Sequence, residues 1–212
     1  MEFLMDIDVS DARAELLYAY TGKRNVEEVD WHVVVCLKEL SEEFLREFCD
    51  YVDWWFLSNH QTLSEAFIRD FQDRVDWNEI SRAQTLSESF IVEFQTRVNW
   101  EYVSYKQVLS EAFIYEFRDC VDWSAVSYGQ PLSEAFIREF QDRVDWRNIS
   151  IYQKLSEEFI YEFRDRLDLN EVCFYQKLSK KLMTYLSMYE PCESNVRRLP
   201  DDFLSAFDAL RV

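Results

Sequence analysis

Leucines recur at Leu40, Leu63, Leu86, Leu109, Leu132, Leu155 and Leu178, 23 residues apart at every step, with no insertion or deletion. A period of that length marks a repeat architecture, in which one supersecondary unit stacks on copies of itself because it cannot bury its apolar face alone. Around six of these leucines the sequence reads approximately LSExFIxEFxDxVDWxxISxxQx, as in LSEAFIRDFQDRVDWNEISRAQT from Leu63 to Thr85. Val29-Asp30-Trp31 and Val34 hold the register of Val52-Asp53-Trp54 and Leu57, so a half-repeat precedes Leu40 and the array begins near residue 26. At the other end, Leu178 to Leu186 keeps the Leu-Ser start but loses the Phe, and no Asp-Trp follows. The expected division is an N-terminal cap or extension over 1–25, a repeat array over 26–177, and a C-terminal cap with a terminal amphipathic helix over 178–212.

Each copy reads as two short helices. Ser41, Ser64, Ser87, Ser110, Ser133 and Ser156 precede a Glu and an apolar series, an N-cap signature with an acid in the first turn. Phe67, Ile68, Phe71 and Val75 then fall on one helical face. Asp76 begins a second element, and Glu79 at its third position suggests a capping box. Asp53, Asp122, Asp145 and Asp168 do the same, with Asn99 as a substitute. Behind that cap, Trp77, Ile80, Ser81 and Gln84 form a second stripe. Helices of roughly 8 to 11 residues would be marginal alone in water, so stacking must hold them. The constant tryptophans Trp54, Trp77, Trp100, Trp123 and Trp146, with the paired Phe residues, are expected to lodge against the next copy. The fold class is therefore all-α, a solenoid of stacked short helix-turn-helix repeats, expected to form an elongated rod or superhelix.

Composition agrees with helix and limits function. Hydrophobic residues make up 48% of the chain, while two Gly and three Pro leave little material for tight turns. A net charge of -18 would repel a phosphate backbone, so nucleic-acid binding is not expected. Five Cys with no CxxC spacing indicate neither a disulfide framework nor a zinc site, and a reducing compartment fits them best. Glu2, Asp6 and Asp8 stand where a secretory signal would carry positive charge, and no stretch approaches the ~18 apolar residues of a membrane span. A soluble, intracellular protein without a cofactor or metal is the expectation.

No catalytic constellation emerges. Glu65, Asp73 and Asp76 recur in every copy with local duties, and Asp70–Arg74, Glu93–Arg97, Glu139–Arg143 and Glu162–Arg166 read as surface pairs four residues apart. His32 and Cys36 are four apart, but no third residue orients them. The recurring glutamines, Gln61, Gln84, Gln107, Gln130, Gln153 and Gln176, could form a ladder that holds a peptide backbone. The plainer reading ties each amide to the loop groups before the next Leu-Ser.

The repeat motif resembles short tandem repeats in proteins of large nucleocytoplasmic DNA viruses of amoebae, of marseillevirus and mimivirus type. The similarity runs from about Val29 to Gln176, roughly seven tenths of the chain. It implies a viral origin and an interaction role, with no catalytic residue to carry over. Leu169 in place of Trp and Cys173 in place of Ser depart from the pattern.

Positions that vary between copies are free to be specific. The pair before each Gln reads Asn59-His60, Arg82-Ala83, Tyr105-Lys106, Tyr128-Gly129, Ile151-Tyr152 and Phe174-Tyr175, becoming aromatic from the third copy onward. Tyr105, Tyr128, Tyr152, Phe174 and Tyr175 form the first candidate partner-binding strip, with interface and core both open as readings. A secondary strip in the first helices includes Arg69, Tyr115, Arg138 and Tyr161. Beyond the array, Asp201 or Asp202 could cap a helix carrying Phe203, Leu204, Phe207 and Leu210. The expected function is a non-catalytic protein-interaction solenoid, acting as a viral scaffold or as a virion or capsid-associated component in virion or host cytoplasm, with self-association possible through the array ends. Two alternatives are a substrate receptor recruiting a host ubiquitin ligase, for which Leu199-Pro200 is a pointer, and an acidic nucleic-acid mimic.

Overall fold

The computed structural model describes the backbone of residues 9–186, with side chains from Ala12. The proposed terminal helix at Phe203 to Leu210, together with Leu199-Pro200 and Pro191, lies outside the described residues. Every element in the described range is helical. The protein is an all-α solenoid of helical repeats. After α1 (Val9–Thr21), closed by Gly22 at φ 72°, and a 3-10 turn (Val26–Glu28), α2 (Trp31–Leu37) supplies the half-repeat. First helices follow as α3 (Glu42–Glu47), α5 (Glu65–Asp70), α7 (Glu88–Glu93), α9 (Glu111–Glu116), α11 (Glu134–Glu139) and α13 (Glu157–Glu162). They alternate with second helices α4 (Trp54–His60), α6 (Trp77–Ala83), α8 (Trp100–Lys106), α10 (Trp123–Gly129), α12 (Trp146–Tyr152) and α14 (Leu169–Tyr175), and α15 (Lys180–Leu186) closes the described range. Two compact units divide at Gln107 and Val108, although the 23-residue register runs through that point without a break in sequence.

First helices have 6 residues and second helices 7, shorter than the periodicity suggests. The first helix ends early because Phe71 leaves helical geometry, at φ -112° and ψ 25°, and a turn carries the chain to Val75. Val75 stays on the buried face, so the apolar stripe is right and its helix is too long. The serine caps form as expected: Ser64 Oγ accepts from the Phe67 amide at 3.1 Å, and Asp76 accepts from Asn78 and Glu79, both at 3.0 Å. The reciprocal half of the capping box does not form. The Asp76 amide donates to Ser58 Oγ of the preceding copy at 3.0 Å, and Glu79 turns to Arg82.

Contacts between copies dominate. In the unit up to Gln107, Gln84 is nearly buried, at 6% exposure, and its side chain reaches back one copy. Its oxygen accepts from the Leu63 amide at 3.0 Å, and its Nε2 donates to the carbonyls of Ser58 and Gln61 at 2.9 and 2.7 Å. Gln61 and Gln107 repeat the arrangement there, as do Gln153 and Gln176 in the unit from Val108, where Gln130 receives the Leu109 amide. The glutamine tie thus runs to the preceding loop, not to the one before the next Leu-Ser. These amides are fully engaged, which removes the peptide-ladder reading.

The tryptophans lodge against the next copy as expected. Trp77 lies 4.9 Å from Phe94 and 6.2 Å from Phe90, and Trp54, Trp123 and Trp146 repeat this on Phe71, Phe140 and Phe163. The indole of Trp77 donates to the Gln72 carbonyl at 2.9 Å, and Trp100 donates likewise to Gln95. Arg97 of the next copy donates to that same Gln72 carbonyl, pairs with Asp73 at 2.7 Å and lies over the Trp77 ring. Arg74, Arg143 and Arg166 make equivalent ion pairs with Asp50, Asp119 and Asp142. The surface pairs expected four residues apart are therefore replaced by pairs one copy apart, because the short first helix ends before the arginine and turns it back.

The cysteine expectation also changes. Cys36, Cys49 and Cys120 are free, but Cys173 is disulfide-bonded, so the cysteine count no longer supports a reducing compartment. The glutamine geometry gives a direct expectation for stability. Gln84→Ala leaves an amide and two carbonyls without their partner and should cost about 3 kcal/mol in urea unfolding. Arg74→Ala, which removes an exposed pair, should cost about 1 kcal/mol. Equal costs would contradict the assignment.

Candidate protein interface

The constant columns of a second helix face inward: Ile80 and Ser81 have no exposed surface, and neither do Ile149 and Ser150. The variable residues before each Gln consequently emerge on the surface. In the unit from Val108, Tyr128, Tyr152, Phe174 and Tyr175 are 40 to 54% exposed. The strip is surface, and the core reading is set aside. The rings of Tyr128 and Tyr152 meet edge to face at 4.3 Å. Gly129 occupies the register of Tyr152 one copy earlier, so no side chain stands between the two rings. Together with Pro131 and Lys154 they line a shallow groove of about 380 Å³. Phe174 and Tyr175 pair edge to face at 4.7 Å. Tyr105, in the other unit, is exposed beneath the Lys106 ammonium, 4.6 Å from its ring centroid.

The secondary strip divides by residue type. Arg69 donates to Glu93 of the next copy at 2.7 Å and lies 5.0 Å over Phe90, while Arg138 does the same with Glu162 and Phe159. Hydrogen bonding to Glu162 raises the Arg138 pKa above its ordinary value, so the guanidinium is held charged. These arginines are struts between copies. Tyr115 and Tyr161 are exposed, with Tyr115 edge-on to Phe140 and Tyr161 4.9 Å from Tyr185.

A second exposed apolar patch escaped the sequence reading. On α2 and α4, Val33, Leu37 and Trp55 are exposed, the ring of His32 meets Phe56 edge-on at 4.1 Å, and Phe56 lies 4.8 Å from Trp55. The available signal was Trp55-Phe56, which fills a column pair that is Asn78-Glu79, Ser124-Ala125 and Arg147-Asn148 in other copies. His32 is thereby placed in an aromatic cluster.

Among the described residues, no group of three or more His, Cys, Asp or Glu side chains is arranged to hold a metal ion, and no helix is long and apolar enough to cross a membrane. No family model, curated protein or solved structure matches the chain.

The exposed tyrosines should be dispensable for folding. The triple variant Tyr128→Ser/Tyr152→Ser/Tyr175→Ser should keep the helical circular dichroism spectrum and lose less than about 0.5 kcal/mol per substitution. A loss of several kcal/mol would return these rings to the core.

Proposed function

We propose that the chain is a non-catalytic protein-binding solenoid, a scaffold or virion-associated component of a large DNA virus. The observation that carries the binding role is the contrast between columns. Residues constant between copies are engaged in stacking, whereas Tyr128, Tyr152, Phe174 and Tyr175 break the repeat and stand exposed, the first two lining a groove. Clustered exposed aromatics are the usual anchors of protein interfaces, since they bury large area with little loss of side-chain freedom. The viral assignment rests on the repeat motif alone. The ligase-receptor reading depends on residues beyond Leu186. The nucleic-acid mimic is weakened because in one of the regularly spaced carboxylate columns Asp50, Asp73, Asp119 and Asp142 each face an arginine.

Affinity capture of the tagged full chain from virions and from infected cells tests this reading. A protein partner should be retained by the wild type and reduced at least tenfold with Tyr128→Ser/Tyr152→Ser/Tyr175→Ser. Equal recovery with both proteins, or turnover of a substrate by the pure chain without any partner, would oppose it.

A further inference from the structure

We propose that the groove between α10 and α12, continued along α14, receives an acidic protein segment carrying aromatic or aliphatic anchors. The inference deepens the interface reading above and rests on it. A chain of net charge -18 would be expected to choose a basic partner, but the local distribution of charge is the reverse. Within α10, α12 and α14 the single acid is Glu171, and Arg147 holds it at 3.2 Å. Asp122, Asp145 and Asp168 stand at the opposite ends of these helices, where their oxygens cap the first turn.

The groove end carries cations instead. Lys154 and Lys177 follow the C-caps Gln153 and Gln176, are exposed, and have no ion pair among the described residues. Lys154 lines the same groove as Tyr128 and Tyr152. The 23-residue register places Lys177 with Tyr175 as it places Lys154 with Tyr152. In the earlier copies the same register holds Thr62, Thr85, Val108 and Pro131, so lysine enters this column with Tyr152 and Tyr175, in the last two copies.

Carboxylates of the neighbouring first helices are committed elsewhere: Glu111, Glu134 and Glu157 accept from the amides of Ser133, Ser156 and Ser179 at 2.5 to 2.6 Å, one copy on. Glu158, exposed four residues after Lys154, makes no ion pair with it. A partner that brings its own carboxylates and an apolar side chain therefore completes the site: the side chain packs on the exposed surface of the Tyr128–Tyr152 pair beside Gly129 and Pro131, and the carboxylates meet Lys154 and Lys177. Charge complementarity of this kind governs specificity and encounter rate more than total affinity. Two lysines on so acidic a chain are too few for a phosphate polymer, whose affinity grows with each phosphate neutralised.

Display of random 12-residue peptides on the full chain tests the proposal, with selections run in parallel on the wild type, on Lys154→Glu/Lys177→Glu and on Tyr128→Ser/Tyr152→Ser/Tyr175→Ser. The wild type should enrich peptides of net negative charge bearing Phe, Trp or Leu. The tightest of these should bind at least tenfold more weakly to Lys154→Glu/Lys177→Glu and should weaken from 0.05 to 0.5 M salt. Circular dichroism melts of both variants separate lost binding from lost folding. Basic or neutral peptides enriched by the wild type, and not by the tyrosine variant, would overturn the acidic partner while leaving the interface standing. Failure to enrich any peptide over the tyrosine variant would overturn both. Displacement of the selected peptide by a 12-nucleotide oligouridine would assign the groove to single-stranded nucleic acid. A dimer in light scattering, lost on charge reversal, would assign it to a second copy; either result overturns the proposal.

Discussion

The carboxamide of one glutamine sets the repeat. Where a second helix ends and the chain turns toward the next Leu-Ser, two carbonyls and one amide are left inside the stack, as at Ser58, Gln61 and Leu63. Gln84 offers one acceptor oxygen and a two-proton donor, which matches that demand in a single side chain. Glutamate would lack the donor and lysine the acceptor. Because the three bonds span 21, 26 and 23 residues, any insertion between copies breaks them together. The unbroken register of the sequence is the visible result.

Other columns follow the same one-copy step. The Trp–Phe contacts supply apolar burial, the Arg–Asp pairs close the solvent side, and Ser58, Ser81, Ser127 and Ser150 receive the amide of the cap residue 18 positions on. The departures at the ends have a physical sense in these terms. Lys38 stands in the glutamine register at the start of the array and donates to the Tyr20 carbonyl of α1. Arg13 of α1 pairs with Glu47 and lies over Phe48, as Arg46 pairs with Asp70 and lies over Phe71, so α1 closes the array as a surrogate first helix. At the far end, Leu169 replaces Trp where Leu182 and Leu186 replace the Phe pair, and all three are buried.

Much of this was legible in the sequence. Period, helix type, caps and the Trp–Phe contacts follow from spacing, because each is a local or one-copy pattern. Direction was not legible. Gln84 could tie forward or back, and Arg74 could meet Asp70 or Asp50, since both choices suit the same residues; the early end of the first helix decided the second. The aromatic strip was visible as variation, but its exposure was not, because tyrosine is compatible with half burial. The patch at Trp55 and Phe56 was hidden by adjacency to the constant Trp54. A binding role and the character of the partner thus rest on surface chemistry superimposed on an array whose constant residues are committed to stacking.

Deletion of one complete copy tests the one-step principle most directly. Removing residues 63–85 joins the Leu40 copy to the Leu86 copy and leaves every column at its 23-residue offset, so Gln107 can take the place of Gln84 on Ser58 and Gln61. The shortened chain should retain the same circular dichroism per residue and a cooperative melt, whereas removal of residues 63–74 alone, which shifts the register by half a copy, should abolish both. Loss of structure in the full-copy deletion, or its retention in the half-copy deletion, would contradict the account.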